Sequence, residues 1–332
     1  MPDLHAWARA WWGGSPAAGF RLLDGLLWPV ELLYRAGSAV RLAAYRRGVL
    51  SVARAPVPVV SVGNLSVGGT GKTPVAAFLA RRLASRGHRP AVVLRGYGLD
   101  EVSLHRRWAP DMPVVAHADR REGVARAVEA GADVAILDDG FQHVRLARDL
   151  DLVLVSAEQH RALQTGRTLP RGPLREPPAA LQRADAILLT HRTADPAPLR
   201  ERLRTVAPSV PVVPLRLAFR EWMHLDGTAA AAPTQECVAV ASVGEPQGFA
   251  ELLARAGTRV SGTRWFPDHH PYTDPEIVDL ERWAAGRTLL TTEKDAVKLA
   301  GRVQGDWRVL ALSVEPEGDS EALDTLLERI RP

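Results

Sequence analysis

The stretch VSVGNLSVGGTGKTPVAAF, residues 60–78, places three closely spaced glycines, a lysine and a threonine between an apolar run and an amphipathic one. A phosphate-binding loop spelled G-x-x-x-x-G-K-[ST] needs that context of strand, glycine turn and helix. Gly71, Lys72 and Thr73 match the end of the pattern, while Ser66 stands where its first glycine belongs. Glycines let several backbone N–H groups point at one place, and a helix N-terminus adds partial positive charge there. The candidate nucleotide-binding set is therefore Ser66, Val67, Gly68, Gly69, Thr70, Gly71, Lys72 and Thr73. Lys72 is expected to reach the β- and γ-phosphates of ATP, and the Thr73 hydroxyl to bind Mg2+. A dinucleotide fingerprint would prefer G-x-G-x-x-G, and Pro74 occupies the position of its third glycine.

The segment VAILDDGFQH, residues 134–143, reads as a buried strand ending in acids. Such a strand presents a carboxylate to magnesium or its water shell, and Asp138 and Asp139 are both candidates. Three further stretches fall in expected loops and suit a phosphoryl acceptor. RGYGLDEV carries Asp100 and Glu101, LPRGPLREP carries Arg171 and Arg175, and WFPDHHPYTDPE carries Asp268, His269 and His270. Arginine suits a phosphate group, either of ATP or of the acceptor. Lys294 and Asp295 in TTEKDAVK read instead as helix-start residues, with Thr292 as the N-cap.

These residues need a scaffold, and the chain of 332 residues supplies enough apolar sequence for one. From Ala55 onward, continuous apolar runs alternate with helical stretches, the signature of a parallel sheet covered on both faces. The expected fold is α/β, a P-loop NTPase-like, doubly wound, mainly parallel sheet with a second, smaller α/β domain and an N-terminal amphipathic helix. The expected division is residues 1–54 for the N-terminal apolar and basic segment, 55–215 for the nucleotide-binding core, 216–233 for a linker and 234–332 for the smaller domain.

A net charge of +4 and a pI near 9.6 favour anionic partners. The single cysteine, Cys237, excludes an internal disulfide framework and fits a reducing compartment. Within FRLLDGLLWPVELLY, residues 20–34, the charges of Arg21, Asp24 and Glu31 break up any run long enough to span a membrane. Asp3 also argues against a secretory signal. Between Leu33 and Ala55 lie five arginines and no acid, and Trp7, Trp11, Trp12 and Trp28 accompany them. That composition favours a helix lying on an anionic membrane surface over one packed on the protein's own core.

Taken together, RAPVPVVSVGNLSVGGTGKTP, RGYG, LDDGFQH with RLARDLDLVLV, LPRGPLREP, FPDHHPYT and TEKDAVK resemble the lipid A 4′-kinase family, tetraacyldisaccharide 4′-kinase or LpxK. The family also carries a hydroxyl residue at the position of Ser66. The resemblance implies ATP- and Mg2+-dependent phosphorylation of the 4′-hydroxyl of an acylated disaccharide 1-phosphate lipid, giving lipid IVA, with no nucleic acid partner. It implies a peripheral position on the cytoplasmic face of the bacterial inner membrane. By motif, Asp100 matches the proposed catalytic base and His269 its partner, with Lys72 on the donor side. Arg120 matches a family arginine. The chain departs from the family at LDEV, where G-D-E-P after a longer insertion is usual. From the residues alone, the competing reading is a P-loop NTPase switch or metallochaperone acting through a protein partner.

Overall fold

The computed structural model describes residues 11–12, 18–96, 98–318 and 321–331, with backbone alone for residues 18–22 and 99. Asp3 and Trp7 lie outside the described residues. The first described long helix is α1 (Ala18–Arg46). A parallel set of strands follows: β1 (Val59–Asn64), β2 (Pro90–Leu94), β3 (Val114–Ala116), β4 (Val134–Asp138), β5 (Leu150–Ser156), β6 (Ala186–His191) and β7 (Val212–Met223). Every residue of β1, β2, β4, β5 and β6 is buried, which is why these runs are apolar without alternation. The connecting helices are α2 (Lys72–Ala84), α3 (Leu99–Trp108), α4 (Arg120–Glu129), α5 (His160–Thr165) and α6 (Ala197–Val206).

The remainder holds β8 (Cys237–Ala241), α7 (Pro246–Arg255), β9 (Val260–Trp265), α8 (Asp274–Ala284), β10 (Thr288–Thr292), α9 (Glu293–Leu299), β11 (Trp307–Pro316) and α10 (Glu321–Leu327). All eleven strands form one sheet in the order β3-β2-β4-β1-β5-β6-β7-β11-β10-β8-β9. Only the β7–β11 pair is antiparallel.

Residues 216–223, expected as the start of a linker, are instead the second half of β7. The reason is β7's double duty. Its first residues, Val212–Arg216, pair with β6, while Trp222 and Met223 at its far end pair with Leu310 and Val309 of β11. Those same β11 residues carry β10 on their other side. At about 3.3 Å per residue, the second parallel set hangs roughly 25 Å further along β7 than the first. It also runs in the opposite direction, so its carboxyl ends point back toward those of the first set. A cleft between the two sets of carboxyl ends is the consequence. The chain then returns: Leu323, Leu326 and Leu327 of α10 pack into the core formed by Val60, Val75 and Leu79, and Asp324 takes Arg82 of α2 and Arg86 just past its end.

α1 is oriented with its acids inward. Glu31, 3% exposed, accepts from the Thr168 backbone N–H at 2.8 Å and pairs with Arg171, while Asp24 takes Arg167 and Arg171. Its apolar side chains face outward: Leu26, Leu33 and Val40 are 72%, 73% and 69% exposed and recur at one helical face. Replacing Glu31 by Ala leaves a buried amide and a guanidinium short of their acceptor, a cost of about 1–3 kcal/mol. The expected result is loss of hydrogen-exchange protection in α1 with little change in β4 and β5; undiminished protection in α1 contradicts the account.

Candidate active site

The donor side is built where β1 turns into α2. Gly71 caps α2 in the left-handed region (φ 86°), and Gly68 also has positive φ. A side chain at Gly71 would stand 2.7 Å from Leu217, so glycine there answers both conformation and space. Asn64 donates to the Thr70 hydroxyl at 3.0 Å, and Thr190 donates to the Thr70 carbonyl at 2.9 Å, tying the loop to the strand ends beneath it. The Ser66 hydroxyl donates to Gln159 at 2.7 Å. Ser66 also bridges to Leu174, and Arg175 N–H donates to the Leu65 carbonyl. The loop 167–175 is thereby stapled to the entrance of the phosphate loop.

That staple brings Arg175 into the site. Its guanidinium donates to both carboxylate oxygens of Asp139, at 2.9 and 3.0 Å, and Lys72 Nζ lies 3.7 Å from the same carboxylate. Burial resists the charge on Asp139, yet these cations hold its pKa below the usual range. Asp138 faces the other way, toward the fully buried His105, whose Nε2 is 3.2 Å from Oδ2. Arg120 is buried and donates to the backbone carbonyls of His117 and Asp138. Thr73, Asp138 and Asp139 are all oxygen donors, which suits magnesium. Because magnesium takes one or two carboxylates and completes its octahedron with phosphate and water, it needs no all-protein cage. Among the described residues no such cage occurs.

Beside Asp139 opens a cavity of about 340 Å3, lined by Arg41, Arg95, Arg120, Arg145 and Arg175 together with His143. Burial and the Arg120 charge push the His143 imidazole down to about 4.

The acceptor side lies at the start of α3. Asp100 is 5% exposed, and His269 Nδ1 lies 3.0 and 3.1 Å from its two oxygens. Burial disfavours the Asp100 charge, but the His269 hydrogen bond and the ammonium groups of Lys294 and Lys298 outweigh it, and the carboxyl is held down at about 2. The Asp100 hydrogen bond raises the His269 pKa in turn, with burial opposing. Burial and then the nearby Asp138 push the Glu101 carboxyl up. His269 has a left-handed backbone (φ 63°), an arrangement that costs energy in a non-glycine residue and clusters at functional sites. The two sides meet across the cleft: a side chain at Gly244, just after β8, would stand 3.1 Å from the Gly69 amide and 3.6 Å from the Asp268 carboxylate.

The profile of the LpxK family, tetraacyldisaccharide-1-P 4′-kinase, matches residues 23–103 and 100–331. The chain belongs to this family. A tetraacyldisaccharide 4′-kinase of Anaeromyxobacter sp. strain Fw109-5 is 39% identical, over 97% of this chain and 96% of its own. A tetraacyldisaccharide 4′-kinase of Halorhodospira halophila is 37% identical, over 94% and 97% respectively. The crystal structure of LpxK from Aquifex aeolicus in complex with ATP superposes with a TM-score of 0.74 at 32% identity, covering 93% of this chain and 99% of that one. The P-loop NTPase-like α/β fold and the ATP-dependent kinase class follow. The switch or metallochaperone reading gains no support.

Of the residues singled out in the sequence, Lys72, Asp139 and Arg175 come together, as do Asp100, Glu101 and His269. Arg171 does not join the site: its guanidinium is consumed by Asp24 and Glu31 of α1. A phosphate role for it is corrected to a tether, because two acids in the apolar helix need a buried counter-ion. His270 likewise turns away, pairing with Glu276 at 3.1 Å beside the Thr273 capping box. Thr292 caps α9 through the Asp295 N–H as its spelling indicates. Lys294, read as part of that helix start, in fact projects into the acceptor site, 2.7 Å from Asp268. Its neighbours lie 25 to 194 residues away in the chain, so local spelling carried no trace of them.

A methyl at Gly98 would fall 2.2 Å from Asp100 and 2.7 Å from His269. Gly98→Ala is therefore expected to separate that pair and lower kcat by about 100-fold, the cost of a roughly 1 Å misplacement, while ATP affinity holds. Steady-state kinetics beside ATP titration calorimetry checks this; unchanged kcat rejects the proposed crowding.

Proposed function

We propose that the chain transfers the γ-phosphoryl group of ATP to the 4′-hydroxyl of a tetraacylated disaccharide 1-phosphate, yielding lipid IVA. The observation that carries this reading is the opposition of a phosphate loop and the Asp100–His269 pair across one cleft. Family membership supplies the substrate class.

In this reading the backbone amides of residues 66–72, with Lys72, hold the donor phosphates. Thr73 with Asp138 and Asp139 would hold magnesium, which supplies neutralisation of charge on the β- and γ-phosphate oxygens. Asp100 accepts the proton of the 4′-hydroxyl. A carboxylate this weakly basic cannot remove an alcohol proton in advance. The proton therefore passes to Asp100 as the new O–P bond forms and the bond to the β–γ bridging oxygen breaks, releasing ADP. His269 holds the Asp100 carboxylate in position through Nδ1. Arg175 and Arg120 belong to the donor-side wall of the arginine cavity, and the cavity suits the acceptor's 1-phosphate. Glu101, whose carboxyl burial and the Asp138 charge push up, lies 3.9 Å from Lys294 Nζ and borders the acceptor position in this reading.

The same reading places the protein peripherally on the cytoplasmic face of the inner membrane. Among the described residues no helix is long and apolar enough to cross a membrane. The outward Leu26, Leu33 and Val40 support shallow insertion, and Arg41 at the cavity rim belongs to the same helix.

Incubation with MgATP and the tetraacylated acceptor, read by mass spectrometry, is expected to add one phosphoryl group. Lys72→Ala should abolish it, and Asp100→Ala should lower kcat by about 10²- to 10⁴-fold at preserved ATP affinity. No phosphorylated lipid from folded protein rejects the kinase reading; full turnover by Asp100→Ala rejects the base alone. In vesicle sedimentation with anionic lipid, the combined Leu26→Glu, Leu33→Glu and Val40→Glu variant is expected to stay in the supernatant while still binding ATP. Its sedimentation at the level of the unsubstituted protein overturns the membrane assignment.

A further inference from the structure

Lys294 stands at the first turn of α9 with its ammonium among groups from α3 and from the loop after β9. Nζ lies 2.7 Å from Asp268 Oδ1, 3.8 Å from Asp100 Oδ2 and 3.9 Å from Glu101 Oε1. It is also 3.3 Å from His269 Nε2. An ammonium carries three donors and no acceptor. The imidazole nitrogen facing it must therefore present a lone pair, and the ring proton resides on Nδ1. There it meets Asp100 at 3.0 Å.

From this geometry we infer that Lys294 is a positioning residue of the acceptor site: set against Nε2, it keeps the His269 ring neutral with its one proton on Nδ1, so that the ring donates to Asp100 and leaves the carboxylate as the proton acceptor. The inference deepens the kinase reading and rests on it for the role of Asp100. The Asp100 carboxylate draws the ring proton to Nδ1, and the Lys294 ammonium closes Nε2 to a second one. Asp100 and Glu101 of α3 and Asp268 of its own loop would together favour the imidazolium, and Lys294 is the cation set against them. Lys298, the other ammonium of α9, lies 3.8 Å from Asp100 but is anchored by Asp295 at 2.8 Å and by the Ser242 hydroxyl. Lys298 thus holds a fixed place beside the carboxylate, and Lys294 alone contacts the ring.

The test uses the full chain. Long-range proton–nitrogen correlation spectra of 15N-histidine protein, with His269 assigned through His269→Asn, are expected to show Nδ1 protonated and Nε2 bare in the neutral ring. Lys294→Met should keep the Nδ1 proton and give an imidazolium that persists to higher pH. Its kcat should fall by about tenfold, less than the loss of a general base itself. The acid limb of the kcat profile should move to higher pH while the KM for ATP stays constant. A neutral ring protonated on Nε2 in the unsubstituted protein overturns the inference, and that measurement requires no variant. An unchanged imidazolium titration and an unchanged acid limb in Lys294→Met, or in Lys294→Gln if the first does not fold, also overturn it. Full turnover by Asp100→Ala would remove the base reading instead and leave the tautomer result standing.

Discussion

The antiparallel seam between β7 and β11 is the constraint on which the rest depends. In an ordinary doubly wound sheet all carboxyl ends lie on one edge, and ligands collect in the crevice outside them. Here the sheet continues past that edge along β7 and reverses direction at β11. The edge that carries the phosphate loop consequently faces a second edge that carries His269 and Lys294. A kinase must hold a donor and an acceptor in line, and proximity of this kind is worth several kcal/mol of barrier. The seam supplies that opposition through backbone pairing. The same twelve-residue strand also places Leu217 against Gly71, so the seam touches the phosphate loop itself.

A second dependence runs from the N-terminal helix into the nucleotide site. Glu31 and Asp24 hold the loop 167–175, Tyr34 donates to the Arg175 carbonyl, and Arg175 in turn grips Asp139. Backbone bonds from that loop enter the phosphate loop at Leu65 and Val67. The acids that break up the apolar run of α1 thus have a structural use: they point inward, which turns the leucines and valines outward. An exposed apolar helix face and a polar face bonded to the 167–175 loop are two results of one pattern of charge.

Much of this was legible in the sequence. Continuous apolar strands, the glycine loop and the acidic strand end are local patterns, and local patterns survive without coordinates. LDEV was the doubtful segment, since it lacks the glycine and proline of the usual spelling. Yet Asp100 and Glu101 fall in the first turn of α3, with Asp100 against His269, because Gly98 leaves them the space. What stayed illegible was long-range pairing. PVVPLRLAFREWM alternates as a strand should, but nothing in it says that its two halves serve different partners. Arg171 and Arg175 lie four residues apart in one motif, and only the fold sends one to the helix and the other to Asp139. His105 gave no motif at all; its role at Asp138 depends on α3 crossing the end of β4.

The distribution of basic residues follows from the same geometry. Of 42 lysines and arginines three are lysine, and all three stand at the two halves of the cleft. Elsewhere arginine serves paired, fixed acceptors: Arg148 on Asp151, Arg171 on Asp24, Arg183 on Glu176. A planar fork matches the two coplanar oxygens of a carboxylate. Around Lys294 the acceptors come from α3 and from the loop after β9, where Asp268 and the ring of His269 are neighbours. A compact ammonium with three rotatable donors can serve such a set. The preference for lysine at these points, in a chain that otherwise uses arginine, is therefore a consequence of acceptors converging from separate elements.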